Sequence, residues 1–416
     1  MKVLHLNASL NGGAAKAAMR IHESLLKIGV DSTFLTKESV SIKNSPSDYS
    51  LENYFYNKPE LTLKNYISEK FFKKFTKQRL SVEEKKSFVN NKLNPKVIGD
   101  FEIFTNPFSV VDITKLKEYI DSDVIHFHWI SGFVDFESFF KVNKKPIIWT
   151  LHDENPFRGG FHYENDELRN QNELNIEYLK IKKSAYENLN KFNIVTPSNW
   201  LKNKAVTSGV FGNVSFYQQN NPIDTAIYRP ISRDYSKSVF NISPDKKVFV
   251  FVSENVSSYR KGYDILSKLI FDNVFKDVFF LIVGNCPDNT ISLSNTLYLG
   301  RIEDERFMNI VYNAGDFFIL PSREDNQPNT MCEALCSGTP VISFNISDNK
   351  SILVENNIGV VCDDISEISL KKTMIKCLNG DYLFNKEKIS SIASMIFSQL
   401  SCGNFYKMMY YNLKEK

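Results

Sequence analysis

A chain of 416 residues with 42% hydrophobic and 24% charged residues has the makings of a globular protein of two or three domains, since domains run to about 100–200 residues. Its formal net charge of +3 is too small to mark a nucleic-acid partner, and none is expected. No run of about 18 apolar residues occurs, so no membrane-spanning helix is expected. The opening Met-Lys-Val-Leu-His-Leu-Asn is too short an apolar stretch for a signal peptide, which makes the cytoplasm the expected location.

The first strand is expected at Lys2–Leu6, followed by a break at Asn11-Gly12-Gly13 and a helix from Ala14 to Ile28, where Ala18, Ile21, Leu25 and Ile28 recur at helical spacing. Gly29 caps that helix and Val30–Leu35 is the next strand. Strand, glycine loop, helix and strand in that order begin a parallel sheet. Short apolar runs at Val124–His128, Pro146–Leu151 and Asn193–Thr196 continue it. A second series opens at Lys247–Ser253 and runs through Phe279–Val283, Thr296–Leu299, Asp316–Leu320 and Val341–Phe344. Prolines and turn formers from Asn221 to Pro230 mark the seam, and Phe397 to Leu413 reads as an aromatic helix. The expected class is α/β, with Rossmann-like domains at 1–222 and 223–396 and a C-terminal helix, 397–416, packing back on the first. Open parallel sheets bind ligands beyond the carboxyl ends of their strands, and a cleft between two domains is the usual place.

The stretch from Pro321 to Ile342 carries the most chemistry: a strand end, a polar loop, a helix with Asn329 or Thr330 as its cap, Gly338, then another strand. A helix start offers free N–H groups to phosphate and sugar oxygens. Asp325 before it and Glu333 within it are acceptors suited to sugar hydroxyls. On physics alone a turn and a surface Glu remain an alternative. Tyr259-Arg260-Lys261-Gly262 follows the strand at Lys247–Ser253 and places two cations after it, where they can neutralise a diphosphate. Asn11-Gly12-Gly13-Ala14-Ala15 is a phosphate-loop candidate or a plain tight turn, but not a dinucleotide fingerprint.

His126-Phe127-His128-Trp129 and Trp149-Thr150-Leu151-His152-Asp153 each end a strand. His126 and His128 share a strand face, but a metal there would need a third ligand and a dry cage. Asp121-Ser122-Asp123 precedes its strand, at the end of the sheet away from ligands, and reads as a turn. All six cysteines lie at or after Cys286; Cys332 and Cys336 stand one helical turn apart and read as small buried residues. From Lys58 to Lys86 nine Lys or Arg face four acids. Within it, on a helix, Ile67, Phe71, Phe72 and Phe75 form an apolar face flanked by Lys70, Lys73, Lys74 and Lys77. That pattern suits either an anionic membrane surface, reached from its inner face, or ordinary packing on a sheet.

These motifs together resemble the family 4 glycosyltransferases: retaining enzymes of GT-B architecture with two facing Rossmann-like domains, many of them builders of bacterial surface polysaccharides such as O-antigen or capsule. The family signature is an acid, seven residues, Glu, then Ala-x-x-x-Gly-x-Pro-Val; Asp325 takes the first acid position, where Glu is usual, and Glu333 the second. The resemblance implies that Glu333 holds the nucleotide ribose, that Asp325 and the backbone of Asn326, Gln327, Pro328 and Asn329 hold the transferred sugar, and that Arg260 and Lys261 grip the diphosphate. Relatives often place an Arg where Asn255 stands, so Arg260 substitutes for it. Gly12 and Gly13 match the N-terminal glycine loop. His-x-His-Trp, Thr-Leu-His-Asp and Pro156 to Tyr163 match further elements; they imply that His152 lies by the reacting sugar and that His128, Trp129 and Asp153 lie on the acceptor side. The catalytic residues implied are His152, Asp325 and Lys261. The expected substrates are a UDP- or GDP-linked sugar and a hydroxyl of a glycan or lipid-linked glycan, with no cofactor and no metal. A sugar-nucleotide epimerase of the same fold is the alternative. A nicotinamide dehydrogenase lacks its glycine fingerprint, with only Glu38 as a ribose ligand.

Overall fold

The computed structural model describes residues 1–37, 53–55 (as a strand), 97 and 99–415, except 110, 171, 188 and 288–292. The basic, aromatic segment at 65–80 lies outside the described residues. The chain forms two compact units: one of Met1–Thr196, Leu201–Gln218 and Asn404–Lys416, the other of Pro197–Trp200 and Gln219–Gly403.

The first unit is built on a seven-stranded parallel sheet in the order β3-β2-β1-β4-β5-β6-β7. Its strands are β1 (Lys2–Asn7), β2 (Asp31–Thr36), β3 (Asn53–Phe55), β4 (Val124–Phe127), β5 (Ile147–Thr150), β6 (Phe192–Thr196) and β7 (Ser215–Gln218). The helix after β1 spans Gly13–Lys27 and buries Ala15, Ala17, Ala18, Ile21 and Leu25, the face that the sequence spacing predicts. It ends where Gly29 takes a φ of +74°, letting the amides of Gly29 and Val30 turn back on the carbonyls of Leu26 and Leu25. The core is aromatic, with Phe127, Phe133, Phe136, Trp149 and Phe161 fully buried.

The second unit carries a six-stranded parallel sheet in the order β10-β9-β8-β11-β12-β13. These are β8 (Val248–Asn255), β9 (Phe279–Asn285), β10 (Thr296–Tyr298), β11 (Phe317–Leu320), β12 (Val341–Ser343) and β13 (Gly359–Val361). The runs Val-Phe-Val-Phe and Phe-Phe-Ile-Leu in β8 and β11 are buried on both faces, as parallel strands under two layers of helices require. One apolar cluster lies on each side of the sheet. The order of the strands reverses between β1 and β4 in one sheet and between β8 and β11 in the other. At those two points the loops after the strands diverge and leave a crevice for ligands.

Three short strands, β3, β7 and β13, have no counterpart among the sequence expectations. The cap also differs: the helix after β11 spans Asn329–Cys336 with Pro328 as its N-cap residue and no side-chain cap, so neither Asn329 nor Thr330 plays that part. A proline there fixes the entry of the chain without donating to it.

Candidate active site

In the second unit the loop after β8 folds against the end of β11. Tyr259–Lys261 makes one short 3-10 turn closed by Gly262 at φ +70°, and a Cβ at Gly262 would stand 1.8 Å from the carbonyl oxygen of Pro321. Only glycine allows both that conformation and that approach. The Arg323 amide donates to the Arg260 carbonyl at 2.8 Å, and Arg260 Nη1 donates to the Glu324 carbonyl at 3.2 Å. The two loops are thus stitched together, and Lys261 Nζ reaches Asp325 Oδ2 at 2.5 Å with Arg260 Nη1 at 3.6 Å. Burial alone would raise the Asp325 carboxyl, but Lys261 and then Arg260 outweigh it and hold it below the usual carboxylate range. Arg260, Lys261 and Arg323 against Glu324 and Asp325 leave the pair of loops with a formal excess of one positive charge. Asn255 Oδ1 accepts from the Ser257 amide and shapes the turn; the second cation is Arg260.

The helix Asn329–Cys336 begins immediately after this loop. The Met331 and Cys332 amides donate to the Pro328 carbonyl at 3.1 and 3.3 Å, and the positive end of the helix faces the loop. Glu333 is buried on it, and its Oε2 accepts from the Tyr312 hydroxyl at 2.8 Å. The Asn326 and Gln327 side chains hold the loop in place. Asn326 Oδ1 accepts from Ser198 Oγ at 2.5 Å. Gln327 Oε1 accepts from the Asn221 amide, and its Nε2 donates to the Pro197 carbonyl and to Asn220 Oδ1. Arg260, Lys261, Asp325, Asn326, Gln327, Pro328, Asn329 and Glu333 therefore share two loops and a helix start in one unit, at the carboxyl ends of β8 and β11.

The other expected residues stand in the first unit, around the crevice between β1 and β4. Gly12, at φ +90°, is the N-cap residue of the helix that Gly13 begins. His128 and Trp129 follow β4, and His152 and Asp153 follow β5. His128 Nδ1 and His152 Nε2 lie 3.1 Å apart, the Trp129 amide donates to Asn7 Oδ1, and Asp153 Oδ2 lies 2.7 Å from His162 Nδ1. Burial pushes the His152 imidazole down to about 4, against the pull of Asp153. The ring is therefore neutral at pH 7 and offers one donor and one acceptor. Asp123 accepts from the Lys2 amide and pairs with Lys414, as suits a turn at the amino end of β4.

Three participants have no signal in the motifs. Tyr312 reaches Glu333 from a different helix, Glu305–Ala314. Ser198 comes from a segment 128 positions before Asn326. His5 sits beside His126 only because β1 pairs with β4 in that register.

Residues 246–379 match the family model described as "Glycosyl transferases group 1", and that span contains Arg260, Lys261, Asp325 and Glu333. No curated protein matches the chain. Among solved structures, sucrose-phosphate synthase from Thermosynechococcus elongatus is similar with a TM-score of 0.68 and 14% identity, covering 99% of each chain. The catalytic domain of starch synthase IV from Arabidopsis thaliana, bound to ADP and acarbose, gives 0.65 and 14% over 100% of both chains. Anabaena HepE in complex with UDP-glucose gives 0.61 and 13% over 100% of both. At these identities the likeness is one of fold, and that fold is the GT-B architecture expected from the sequence.

Proposed function

We propose that this chain, a glycosyltransferase by its group 1 domain and GT-B fold, moves a sugar from a nucleoside diphosphate donor to a hydroxyl acceptor with retention of configuration. The observation that carries the reading is the Lys261–Asp325 ion pair with Arg260 beside it, at the crevice between β8 and β11 and just before the helix that buries Glu333. Arg260 and Lys261 suit the diphosphate, whose charge grows as the bond to the sugar breaks. Asp325, held ionised, accepts hydrogen bonds from sugar hydroxyls, and Glu333 accepts from the ribose. The bond from the anomeric carbon to the phosphate oxygen breaks and the bond to the acceptor oxygen forms on the same face. The acceptor's proton passes to the departing phosphate, so the protein's part is orientation and charge stabilisation. His152, whose imidazole burial keeps neutral at pH 7, suits a hydrogen bond to a sugar hydroxyl. The ligands named for two similar structures, UDP-glucose and ADP with acarbose, support a nucleotide-sugar donor and a glycan acceptor. The basic and aromatic segment at 65–80 supports a lipid-linked acceptor met at an anionic membrane surface. Among the described residues no helix is long and apolar enough to cross a membrane.

A thermal-shift panel of UDP- and GDP-linked sugars tests the donor. The right one at 100 times its Kd adds about 2.7 kcal/mol of stability, and slow hydrolysis of it releases a sugar whose first-formed anomer matches the donor. No response to any nucleotide sugar, or an inverted anomer, overturns the reading. Co-sedimentation with anionic liposomes, weakened by salt and by Lys70, Lys73, Lys74 and Lys77→Glu, tests the membrane part separately.

A further inference from the structure

We propose that His5, His126 and His128 form a binding site for one divalent transition-metal ion of the borderline class, Zn²⁺ first among them. The proposal concerns the first unit and stands apart from the donor site on Arg260, Lys261, Asp325 and Glu333.

Strand geometry brings the three rings together. His5 on β1 is the direct cross-strand partner of His126 on β4, and His128, two residues on, continues the same side of the chain. The ring centroids of His5 and His126 are 4.5 Å apart, those of His126 and His128 4.3 Å, and those of His5 and His128 5.2 Å. One ring nitrogen from each lies within 4.8 Å of one from the others. All three side chains are buried, at 0%, 0% and 2% exposure. The sequence alone offers two histidines on one strand; the sheet supplies the third ligand and the dry surroundings that a three-histidine site requires.

The hydrogen bonds around the rings add a second observation. An imidazole binds a metal through one bare nitrogen and keeps its single N–H on the other, where a partner fixes its orientation. For His126 such partners are in place on both sides: the Tyr410 hydroxyl lies 2.6 Å from Nδ1 and Thr150 Oγ1 2.7 Å from Nε2. For His128 they are His152 Nε2 at 3.1 Å and His5 Nδ1 at 2.9 Å. One contact on each ring gives way to the ion and the other remains to orient the ring. His5 is different, because its Nε2 is buried with no hydrogen-bond partner. Ligation at that nitrogen supplies the partner it lacks, and the His5–His128 contact is the one exchanged for the ion, with His128 ligating through Nε2 and keeping His152 as the partner of its Nδ1–H. A purely structural polar cluster has no use for an orphaned nitrogen, and an apolar side chain would fill the same space without one.

The chemistry of the donors selects the ion. Three neutral imidazoles with no thiolate or carboxylate among them suit Zn²⁺, Co²⁺, Ni²⁺ or Cu²⁺ and disfavour Mg²⁺, Ca²⁺ and Mn²⁺, which prefer oxygen. Three protein ligands leave a fourth position for a water or hydroxide, and a hydroxide there would halve the buried charge.

The test uses the full chain without an affinity tag, stripped with EDTA, dialysed and titrated with Co²⁺ as a spectroscopic probe. The expected result is one equivalent bound with the visible d–d absorption of a low-coordinate site, displaced by Zn²⁺. His5→Gln and His126→Gln, each checked for a cooperative unfolding transition, should weaken binding at least ~100-fold. X-ray absorption on the Zn²⁺-loaded wild type should give a first shell dominated by three imidazoles, a readout that does not depend on the variants folding. No d–d band, an oxygen-dominated shell, or unchanged affinity in folded variants overturns the site. Sugar transfer is measured separately, so failure of either proposal leaves the other standing.

Discussion

The two units share a parallel-sheet plan and divide their polar chemistry in opposite ways. All six histidines lie in the first unit and all six cysteines in the second. In the second unit the central strands are unbroken apolar runs, five of the six cysteines are buried as small apolar fillers, and the charged groups of the candidate site stand on loops and a helix beyond the strands. In the first unit the polar groups enter the sheet itself: β1 reads Lys-Val-Leu-His-Leu-Asn and β4 reads Val-Ile-His-Phe, with both histidines fully buried. A buried parallel strand is most stable when continuously apolar. The second unit therefore keeps a plain scaffold and decorates its edge, while the first gives up some apolar packing for buried imidazoles. A departure of that kind is where function is to be sought.

If the second unit's chemistry is confined to the loops and helix beyond its strands, removing one charge there should end activity and spare the fold. Lys261→Ala and Glu333→Ala should each lower turnover at least ~100-fold while leaving the unfolding midpoint within a few degrees. Near-normal transfer or donor hydrolysis in either would break the contrast at its strongest point. Gly262→Ala should cost roughly 10-fold or more through a displaced Lys261, because the added Cβ meets the Pro321 carbonyl at 1.8 Å and the positive φ disfavours alanine by about 1 kcal/mol or more. Activity equal to wild type would mean that the loop shifts freely.

The first unit's buried polarity has its own signature in Lys182. Its ammonium is buried, donates to the Asn155 carbonyl at 2.6 Å and to Asn155 Oδ1 at 2.9 Å, and burial lowers its pKa to about 7, with Asp153 opposing. Between pH 7 and the unfolded value near 10.5 the unfolded chain holds this proton and the folded chain does not, so the contribution to stability rises with pH across that window. The rise is a few kcal/mol at most. Lys182→Met should flatten that slope in denaturant titrations at several pH values; an unchanged slope would remove Lys182 from the account. The smallest effect belongs to the cysteines. In the native protein only Cys286 is partly exposed, and burial raises its thiol pKa, so a thiol reagent should label one site slowly, then all six after unfolding. Rapid labelling of two or more would show that the second unit's core is looser than its packing implies.

Much of this was legible in the sequence, and the limits are physical. Strands β8, β9 and β11 announce themselves because both faces are buried and no polar residue interrupts them. β7 is half-exposed and β13 only three residues long, so neither carries enough apolar sequence to stand out. Asp325 and Glu333 were readable as candidates because their spacing is local, and Lys261 from its own Arg-Lys-Gly run, but the pairing of Lys261 with Asp325 across 64 positions was not. Tyr312, Ser198 and His5 were not, since each is placed by pairing between elements far apart in the chain. Asn326 and Gln327 were readable as site residues, but that their side chains would be spent on Ser198, Pro197 and Asn220 was not.

The helix Gln399–Glu415 is synthesised long after β6, yet from Asn404 onward it belongs to the first unit. Its Tyr410 hydroxyl meets His126 Nδ1 at 2.6 Å, and its Tyr406 hydroxyl meets Thr150 Oγ1 at 2.8 Å. At synthesis rates of 5–20 residues per second, roughly 10–40 s separate β6 from these tyrosines. During that interval the sheet of the nascent chain holds His126 with its Thr150 partner but without the Tyr410 hydroxyl. Native pairing of His126 therefore waits for residues 406–410, and a chain ending at residue 403 holds every residue of the second unit but lacks the tyrosines that complete the first.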